Sequence, residues 1–309
     1  MNDWILISNP GAASAQAGNR WQDALQILQE AGLTIETAVS QYAGHSIELA
    51  LEAAGKGFRK FIAAGGDGTI HEVMSGLLRY ADQAGADLGD FTLAVLPVGT
   101  GNDWIRTANI PSDVLEAARA IVAGKTGKED IVRLTFENGV FCMANIGGVG
   151  VDADICYNTN TLKKKGYKGS FLYKLVAPYS IFSRKCRPVE IVCDGETIFT
   201  GELFTAVFGN GIYRGGGLKQ NEEGGRWDDG LLEVSVEGNV SHFKGFQDMM
   251  HIFKGDFAAL PGVVTRRFHK LTFTPLGEGK DNVESDGEIP GTLPLTVELT
   301  GQQINIVIG

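Results

Sequence analysis

The chain has 309 residues, of which 43% are hydrophobic and 21% are charged, and its formal net charge is −10. This length exceeds the usual size of one domain, so we expect two domains with separate hydrophobic cores. The acidic balance argues against a protein that wraps nucleic acid, and we expect no nucleic-acid partner.

The first third of the sequence alternates strand and helix patterns. The predicted strands are "WILIS" (4–8), "LTIETAVS" (33–40), "KFIAAG" (60–65) and "FTLAVLPV" (91–98). The predicted helices are "WQDALQILQEAG" (21–32), "HSIELALEAAGKG" (45–57), "TIHEVMSGLLRYAD" (69–82) and "SDVLEAARAIVAG" (112–124), the last with a serine cap at its start and a glycine at its end. This alternation predicts a doubly wound parallel sheet, which binds ligands at the carboxyl ends of its strands.

After about residue 128 the pattern changes to short alternating strands separated by turn residues, which is typical of an antiparallel sheet or sandwich. Two segments there have helical character, Lys168–Arg184 and His242–Phe257. The sequence therefore predicts an α/β nucleotide domain over residues 1–127 and a β-rich domain over 128–309, with a cleft between them.

The cysteines and apolar runs indicate the cellular compartment. Cys142, Cys156, Cys186 and Cys193 lack the paired spacing of a zinc site, and a chain of this length needs no disulfide scaffold. The start "MNDWILISNP" lacks the pattern of a signal peptide, and no apolar run approaches the ~18 residues of a membrane span. We expect a cytoplasmic protein whose membrane contact, where there is any, is peripheral on the inner membrane surface.

Three glycine-containing loops follow strands of the predicted parallel sheet: "NPGAASAQAG" (9–18), "GGDGT" (65–69) and "PVGTGND" (97–103). Glycines let backbone N–H groups approach a phosphate, and a helix that starts there adds the positive end of its dipole. Three such loops at one sheet edge predict a phosphate site.

The presence of Asp67 in the second loop requires an explanation, because a carboxylate beside phosphates is repelled unless it faces a ribose, an amide or a cation. Helix capping is the alternative.

These motifs resemble those of the diacylglycerol kinase catalytic family, which includes bacterial diacylglycerol kinases and the sphingosine and ceramide kinases. The resemblance covers nearly the whole chain and rests on "SNP" (8–10), "AAGGDGTIHEV" (63–73), "LPVGTGNDWIR" (96–106), "DDGLLEV" (228–234) and "ESDGE" (284–288), in the family's order. It implies an ATP- and Mg²⁺-dependent lipid kinase in which ATP and the lipid meet between the two domains.

The resemblance also implies site residues. ATP contacts would come from Asn9, Pro10, Gly11, Ser40, Gly65, Gly66, Asp67, Gly68, Thr69, Glu72, Gly99, Thr100, Asn102 and Asp103. The family places a lysine or a second glycine soon after "NP", and here Ser14 and Arg20 are the substitutes. A magnesium ion would be bound by Asp229 with the carbonyls of Arg226 and Leu231, although "WDDGLL" is also typical of a hairpin turn.

The family's catalytic base corresponds to Glu288, which would take the proton from the lipid hydroxyl. Asp286 is a second catalytic candidate, because two residues apart in an extended strand the two carboxylates would share a face. The alternative is again that "SDGEIPG" forms only a hairpin.

A lipid acceptor needs an apolar surface. The candidate wall of the lipid cleft is formed by Phe171, Leu172, Tyr173, Leu175, Tyr179 and Phe182, with an ordinary buried helix as the alternative. Seven basic residues flank this segment: Lys163, Lys164, Lys165, Lys168, Arg184, Lys185 and Arg187. They form either solvated loops or a patch that docks on an anionic membrane surface.

Two rival functions remain at this point. A NAD kinase shares the "GGDGT" loop and would phosphorylate a soluble dinucleotide, whereas "GTGND" followed by arginine and the late "DGE" resemble the lipid enzymes. A non-catalytic nucleotide- or lipid-binding protein on the same fold would be expected to lack Asp229 and Glu288.

Diacylglycerol is the preferred acceptor among several lipids with a free hydroxyl. The oligomeric state stays open, a homodimer included.

Overall fold

A computed structural model of the chain describes residues 3–10, 20–99, 102–167, 171–215, 217–219, 226–252 and 254–309. The predicted roles of Gly11, Ser14, Thr100 and Lys168 lie outside the described residues, as do the side chains of Phe171 and Tyr173.

The helices of the described residues are α1 (Arg20–Glu30), α2 (His45–Gly55), α3 (Asp67–Ala84), α4 (Asp103–Thr107), α5 (Val114–Ala123), α6 (Val151–Lys164), α7 (Phe171–Ser183) and α8 (His242–Ile252). The strands are β1 (Trp4–Ser8), β2 (Ile35–Val39), β3 (Lys60–Gly65), β4 (Thr92–Pro97), β5 (Thr126–Phe136), β6 (Gly139–Met143), β7 (Ile146–Gly150), β8 (Arg187–Cys193), β9 (Glu196–Gly209), β10 (Tyr213–Arg214), β11 (Leu218–Lys219), β12 (Leu232–Gly238), β13 (Val263–Phe268), β14 (Lys270–Pro275), β15 (Asn282–Ser285), β16 (Glu288–Thr292) and β17 (Leu295–Val307).

The N-terminal sheet is parallel, as the sequence predicts. Its strands lie in the order β2-β1-β3-β4. The helices α1 and α5 pack against each other, and α2 packs against α3. The strands β1, β3 and β4 are almost wholly apolar and buried because helices cover both faces of a doubly wound sheet, whereas none of the residues of the edge strand β2 is fully buried.

The C-terminal half is an antiparallel, β-rich structure, also as predicted. The long strand β9 pairs with β7, β8 and β12, while β17 pairs with β14 and β5. The end of β17 then runs parallel to β4, so both halves share one hydrogen-bonded sheet. Ile304, Ile306 and Val307 are consequently buried in the N-terminal core.

Some local predictions were wrong or incomplete. The N-cap of α5 is Asp113 rather than Ser112, because the Asp113 carboxylate accepts the Leu115 and Glu116 N–H groups at 2.9 and 3.2 Å. The short helix α4 and the helix α6 were not predicted. The polar run "YNTNT" within α6 masks the apolar spacing that would indicate a helix.

Within the described ranges, none of the helices combines the length and the hydrophobicity that crossing a bilayer requires.

Candidate active site

The glycine loops after β3 and β4 lie side by side at one edge of the parallel sheet. The Val98 and Gly99 N–H groups donate to the Gly65 carbonyl at 3.0 and 3.2 Å. A Cβ atom placed on Gly99 would lie 2.6 Å from the Gly66 Cα atom. The two loops therefore contact each other backbone to backbone, which only glycine permits at both positions.

The loop after β1 joins the same edge. The Asn9 N–H donates to the Ala64 carbonyl at 3.1 Å, and Pro10, which follows it, is exposed. On the far side of β1, the Ser40 N–H donates to the Ser8 carbonyl at 2.8 Å. The described residues thus bring the ends of β1, β2, β3 and β4 together, as expected for a phosphate site at the carboxyl edge.

Asp67 connects two of these loops. Its two carboxylate oxygens accept the Asp103 and Trp104 N–H groups, each at 3.0 Å, at the start of α4. Burial raises the Asp67 pKa to about 6, and the two N–H donors oppose that shift. Both oxygens are engaged by backbone, so Asp67 positions the start of α4, whose N-cap Asn102 has a left-handed φ of 54°.

Glu72 positions the start of α2, as Asp67 positions the start of α4. Its carboxylate accepts the Gly44 and Ser46 N–H groups at 2.8 and 3.2 Å, at the N-terminus of α2. Backbone N–H groups there lack partners within the helix, and a carboxylate satisfies them. The run 66–72 therefore organises the segments on both of its sides. Thr69 lies within it and is buried.

Glu288 lies against the first turn of α3. A Cβ atom on Gly68 would lie 3.0 Å from the Glu288 Oε1 atom. Glu288 is exposed to solvent, yet partial desolvation by the surrounding protein raises the pKa of its carboxyl group. The negative charge of Glu72 raises this pKa further. His71 and two nearby lysines oppose that shift. The carboxylate of the predicted base therefore lies beside the positive end of the helix that begins at the glycine loop.

Asp286 has a different environment from the one predicted. It lies in the turn between β15 and β16 with a left-handed φ of 53°, so it does not share a strand face with Glu288, and that expectation was wrong. Its buried carboxylate accepts the Ala144 and Asn145 N–H groups at 2.9 and 2.8 Å. It also contacts His71 Nδ1 at 3.0 Å. Asp286 therefore positions the turn that carries Glu288.

The backbone of Gly287, which precedes Glu288, is also held by hydrogen bonds to β15 and α6. The Gly287 N–H donates to Glu284 Oε1 at 2.8 Å, while the Gly287 carbonyl accepts from Asn160 Nδ2 at 2.9 Å and from Cys156 Sγ at 3.2 Å. Sequence reasoning missed these contacts because Asn160 and Cys156 lie on α6, which it did not predict.

The predicted metal turn is a compact loop before β12. Asp229 Oδ1 accepts the Leu231 N–H at 3.2 Å, and Asp229 Oδ2 pairs with Arg267. One carboxylate and backbone carbonyls are the hard oxygen donors that Mg²⁺ prefers. The donor set fits the ion, which would compete with the Arg267 guanidinium for Oδ2. Among the residues described, no group of three or more His, Cys, Asp or Glu side chains forms a metal cluster.

Two predicted surface features need correction. Arg184 was predicted to belong to the basic surface patch, but its side chain is only 1% exposed and pairs with Asp281 at 2.8 Å and Asp154 at 3.2 Å. Arg187, at the start of β8, also pairs with Asp281. Arg184 therefore leaves the predicted surface patch, whereas the Arg187 side chain is 40% exposed and Lys163, Lys164, Lys165 and Lys185 are exposed as well.

The predicted wall of the lipid cleft was also wrong in part. Leu175, Tyr179 and Phe182 point outward, with 57%, 65% and 53% of their surface exposed. The helix α7 buries its opposite face through Val176 and Ile181.

Comparison with known proteins agrees with this fold. The model of the diacylglycerol kinase catalytic domain matches residues 3–134, and that of the YegS C-terminal NAD kinase beta sandwich-like domain matches residues 146–308. A diacylglycerol kinase of Bacillus subtilis (strain 168) is 31% identical over 300 residues, covering 94% of this chain and 90% of that protein. A probable YegS-like lipid kinase of Chromohalobacter salexigens is 28% identical over 291 residues, covering 89% and 86%.

Solved structures agree on the fold. The crystal structure of a putative diacylglycerol kinase from Bacillus anthracis str. Sterne superposes with a TM-score of 0.78 at 23% identity, covering 100% of this chain and 97% of that one. Both domain types are thus present in the order found in full-length relatives. The chain therefore belongs to the family of diacylglycerol kinases and YegS-like lipid kinases, and it is an enzyme of that kinase class.

Proposed function

We propose that this enzyme transfers the γ-phosphoryl group of ATP to the hydroxyl group of a lipid in a Mg²⁺-dependent reaction, with diacylglycerol as the preferred acceptor. The observation that carries the proposal is the position of Glu288, whose carboxylate lies against Gly68 in the first turn of α3. A proton acceptor is thereby placed beside the loops best suited to phosphate groups.

The mechanism follows from these positions. Backbone N–H groups of the glycine loops and the N-terminus of α3 orient the phosphates and stabilise charge that develops during transfer. Glu288 accepts the proton of the lipid hydroxyl as the hydroxyl oxygen forms its bond to the γ-phosphorus and the bond to the ADP oxygen breaks. Positioned bases of this kind contribute about 10²–10⁴-fold to a rate. A magnesium ion, when bound, neutralises phosphate charge.

The nucleotide contacts proposed from the sequence fall into two groups in this structure. Gly66, Gly68 and Gly99 are partly exposed and suited to direct approach of phosphates, whereas Gly65 is buried and packs against Thr69. The other residues of the set shape or flank the loops: Asn9, Pro10, Ser40, Asp67, Thr69, Glu72, Asn102 and Asp103. We further propose that Asp229, with the carbonyls of Arg226 and Leu231, binds a Mg²⁺ ion in place of the Arg267 contact.

The proposal is tested by incubating the enzyme with labelled ATP and a panel of acceptors in mixed micelles. The panel contains diacylglycerol, monoacylglycerol, phosphatidylglycerol, a sphingoid base and NAD. We expect label on diacylglycerol in excess over the other acceptors. Label on NAD alone, or ATP binding without transfer to any acceptor, would overturn the proposal.

Gly68→Ala should lower kcat about tenfold by displacing the Glu288 carboxylate, since a misplaced catalytic group loses much of its contribution. The melting temperature should not fall, because alanine favours a helix by about 1 kcal/mol over glycine. Gly55→Ala is the matched control, since a Cβ atom there meets nothing within 4 Å. A kcat within twofold of wild type for Gly68→Ala would show that the contact with Glu288 does not matter.

Replacing Lys165 and Lys185 together with serine should weaken binding to anionic vesicles about thirtyfold at low salt, because each basic residue near such a surface contributes about 1 kcal/mol. The measurement is vesicle co-sedimentation at several salt concentrations, and the salt dependence should become shallower. Equal binding by both proteins would show that these lysines are only solvated.

A further inference from the structure

The outer face of α7 and α8 carries five exposed apolar side chains. It consists of Leu175, Tyr179 and Phe182 on α7 and Phe243 and Met250 on α8, and we refer to it as the α7–α8 face. Phe243 is 66% exposed and Met250 is 46% exposed, similar to the three residues of α7. Soluble proteins rarely expose a contiguous surface of this kind without a partner.

The α7–α8 face results from the spacing of residues along both helices. Positions 175, 179 and 182 recur every three or four residues, so they form one stripe on α7, opposite the buried residues Val176 and Ile181. The two helices adjoin, since the Phe182 ring stacks on Phe246 with centroids 6.2 Å apart and meets His242 edge-on. Together the two stripes form a single surface.

Exposed apolar side chains are concentrated in this region. Seven of the eleven large hydrophobic residues exposed in the described ranges lie between Tyr157 and Met250, on or directly after α6, α7 and α8. The nucleotide domain contributes only Val39, Tyr42 and Val122 to that set. The concentration indicates a dedicated surface rather than the scattered exposure that every protein shows.

The charged residues that flank α7 indicate which kind of partner binds the α7–α8 face. Exposed lysines flank α7 in the sequence, with Lys163, Lys164 and Lys165 at the end of α6 and Lys185 just after α7, although the whole chain carries a net charge of −10. An apolar stripe with a cationic border suits the headgroup boundary of an anionic bilayer. A second copy of this chain would bring its own lysines against these, which disfavours self-association here.

We propose that the α7–α8 face inserts into the headgroup boundary of an anionic lipid bilayer and seats the enzyme on the membrane that contains its acceptor. This inference rests on the proposed lipid substrate. The helix α6 links the face to the site, because it packs on α7 and its Asn160 binds the carbonyl of Gly287, next to Glu288. The α7–α8 face and the turn that carries Glu288 therefore adjoin the same helix, α6.

The test is the double variant Leu175→Gln/Tyr179→Gln, compared with Val122→Gln, which changes an exposed apolar residue on α5. Co-sedimentation with phosphatidylglycerol/phosphatidylcholine vesicles is measured in 0.1 M and 0.5 M salt. Wild-type protein should retain a salt-resistant fraction of binding, because insertion of apolar side chains is not screened. The double variant should lose that fraction about tenfold or more, and Val122→Gln should match wild type.

Two further measurements distinguish loss of membrane binding from misfolding and from loss of catalysis. Melting curves show whether the variants fold, and turnover of a dispersed short-chain diacylglycerol should stay within twofold of wild type. Unchanged vesicle binding by the double variant overturns the inference. So does a wild-type dimer that the substitutions convert to monomer, since a second copy would then cover the face. If short-chain turnover is absent from wild type itself, the proposed function fails instead.

Discussion

Glu288→Gln should lower kcat by about two to four orders of magnitude while changing the KM for ATP and the melting temperature little. Glutamine has nearly the same shape as glutamate but cannot accept the hydroxyl proton. The raised pKa of Glu288 gives a second signature. Because the base acts when deprotonated, wild-type activity should rise with pH through a pKa above the usual glutamate value, and this acidic limb should vanish in the variant.

Glu298→Gln serves as the control, since Glu298 forms a salt bridge with Lys270 at 3.0 Å and lies on β17. It should leave kcat and the pH profile unchanged. If Glu288 only shapes the hairpin, the amide would serve nearly as well and turnover would stay within a few-fold of wild type. That result would remove Glu288 from the chemistry and leave Asp286, Asp229 and Asp67 as the carboxylates to test.

Asp286→Ala should lower the free energy of unfolding by about 3–5 kcal/mol, because two buried N–H groups and His71 lose their acceptor, at about 1–3 kcal/mol for each unsatisfied group. The measurement is urea unfolding followed by circular dichroism. Activity should fall as well, since the turn no longer positions Glu288. Asp82→Ala breaks an exposed pair with Arg133 and should cost less than about 1 kcal/mol.

Comparing the free energy of unfolding of Asp286→Ala with its turnover separates a positioning role of Asp286 from a role in the chemistry. A variant with normal stability and lost turnover would make Asp286 a catalytic residue in direct contact with substrate. Loss of stability together with partial loss of turnover is what the buried hydrogen bonds of Asp286 predict.

Much of the nucleotide half could be predicted from sequence because its information is local. The strand "KFIAAG" begins and ends as predicted, since apolar β-branched and small residues precede a glycine pair. The three loops could be placed on one edge because parallel strands end at the same side of a sheet. Family motifs then indicated Glu288.

Contacts between distant segments could not be predicted in this way. His71 and Asp286 are 215 residues apart, and no spacing rule pairs them. Arg184 looked like a surface cation because its neighbours are basic, yet the interior carboxylates of Asp154 and Asp281 draw its guanidinium inward. The outward stripe of α7 was hidden by its overall apolar character, which is also typical of a buried helix.

The parallel pairing of β17 with β4 has a consequence for folding. Asn305 pairs with Thr92, more than two hundred positions earlier, so the nucleotide sheet gains its last strand only after the whole β-rich half has been synthesised. Until then β4 presents an unpaired edge, and the places of Ile304 and Ile306 in the core stay empty. Such distant contacts slow folding and leave a nascent chain prone to aggregation. We therefore expect the two halves of this enzyme to reach the native state together, as one cooperative unit, once β17 has been synthesised.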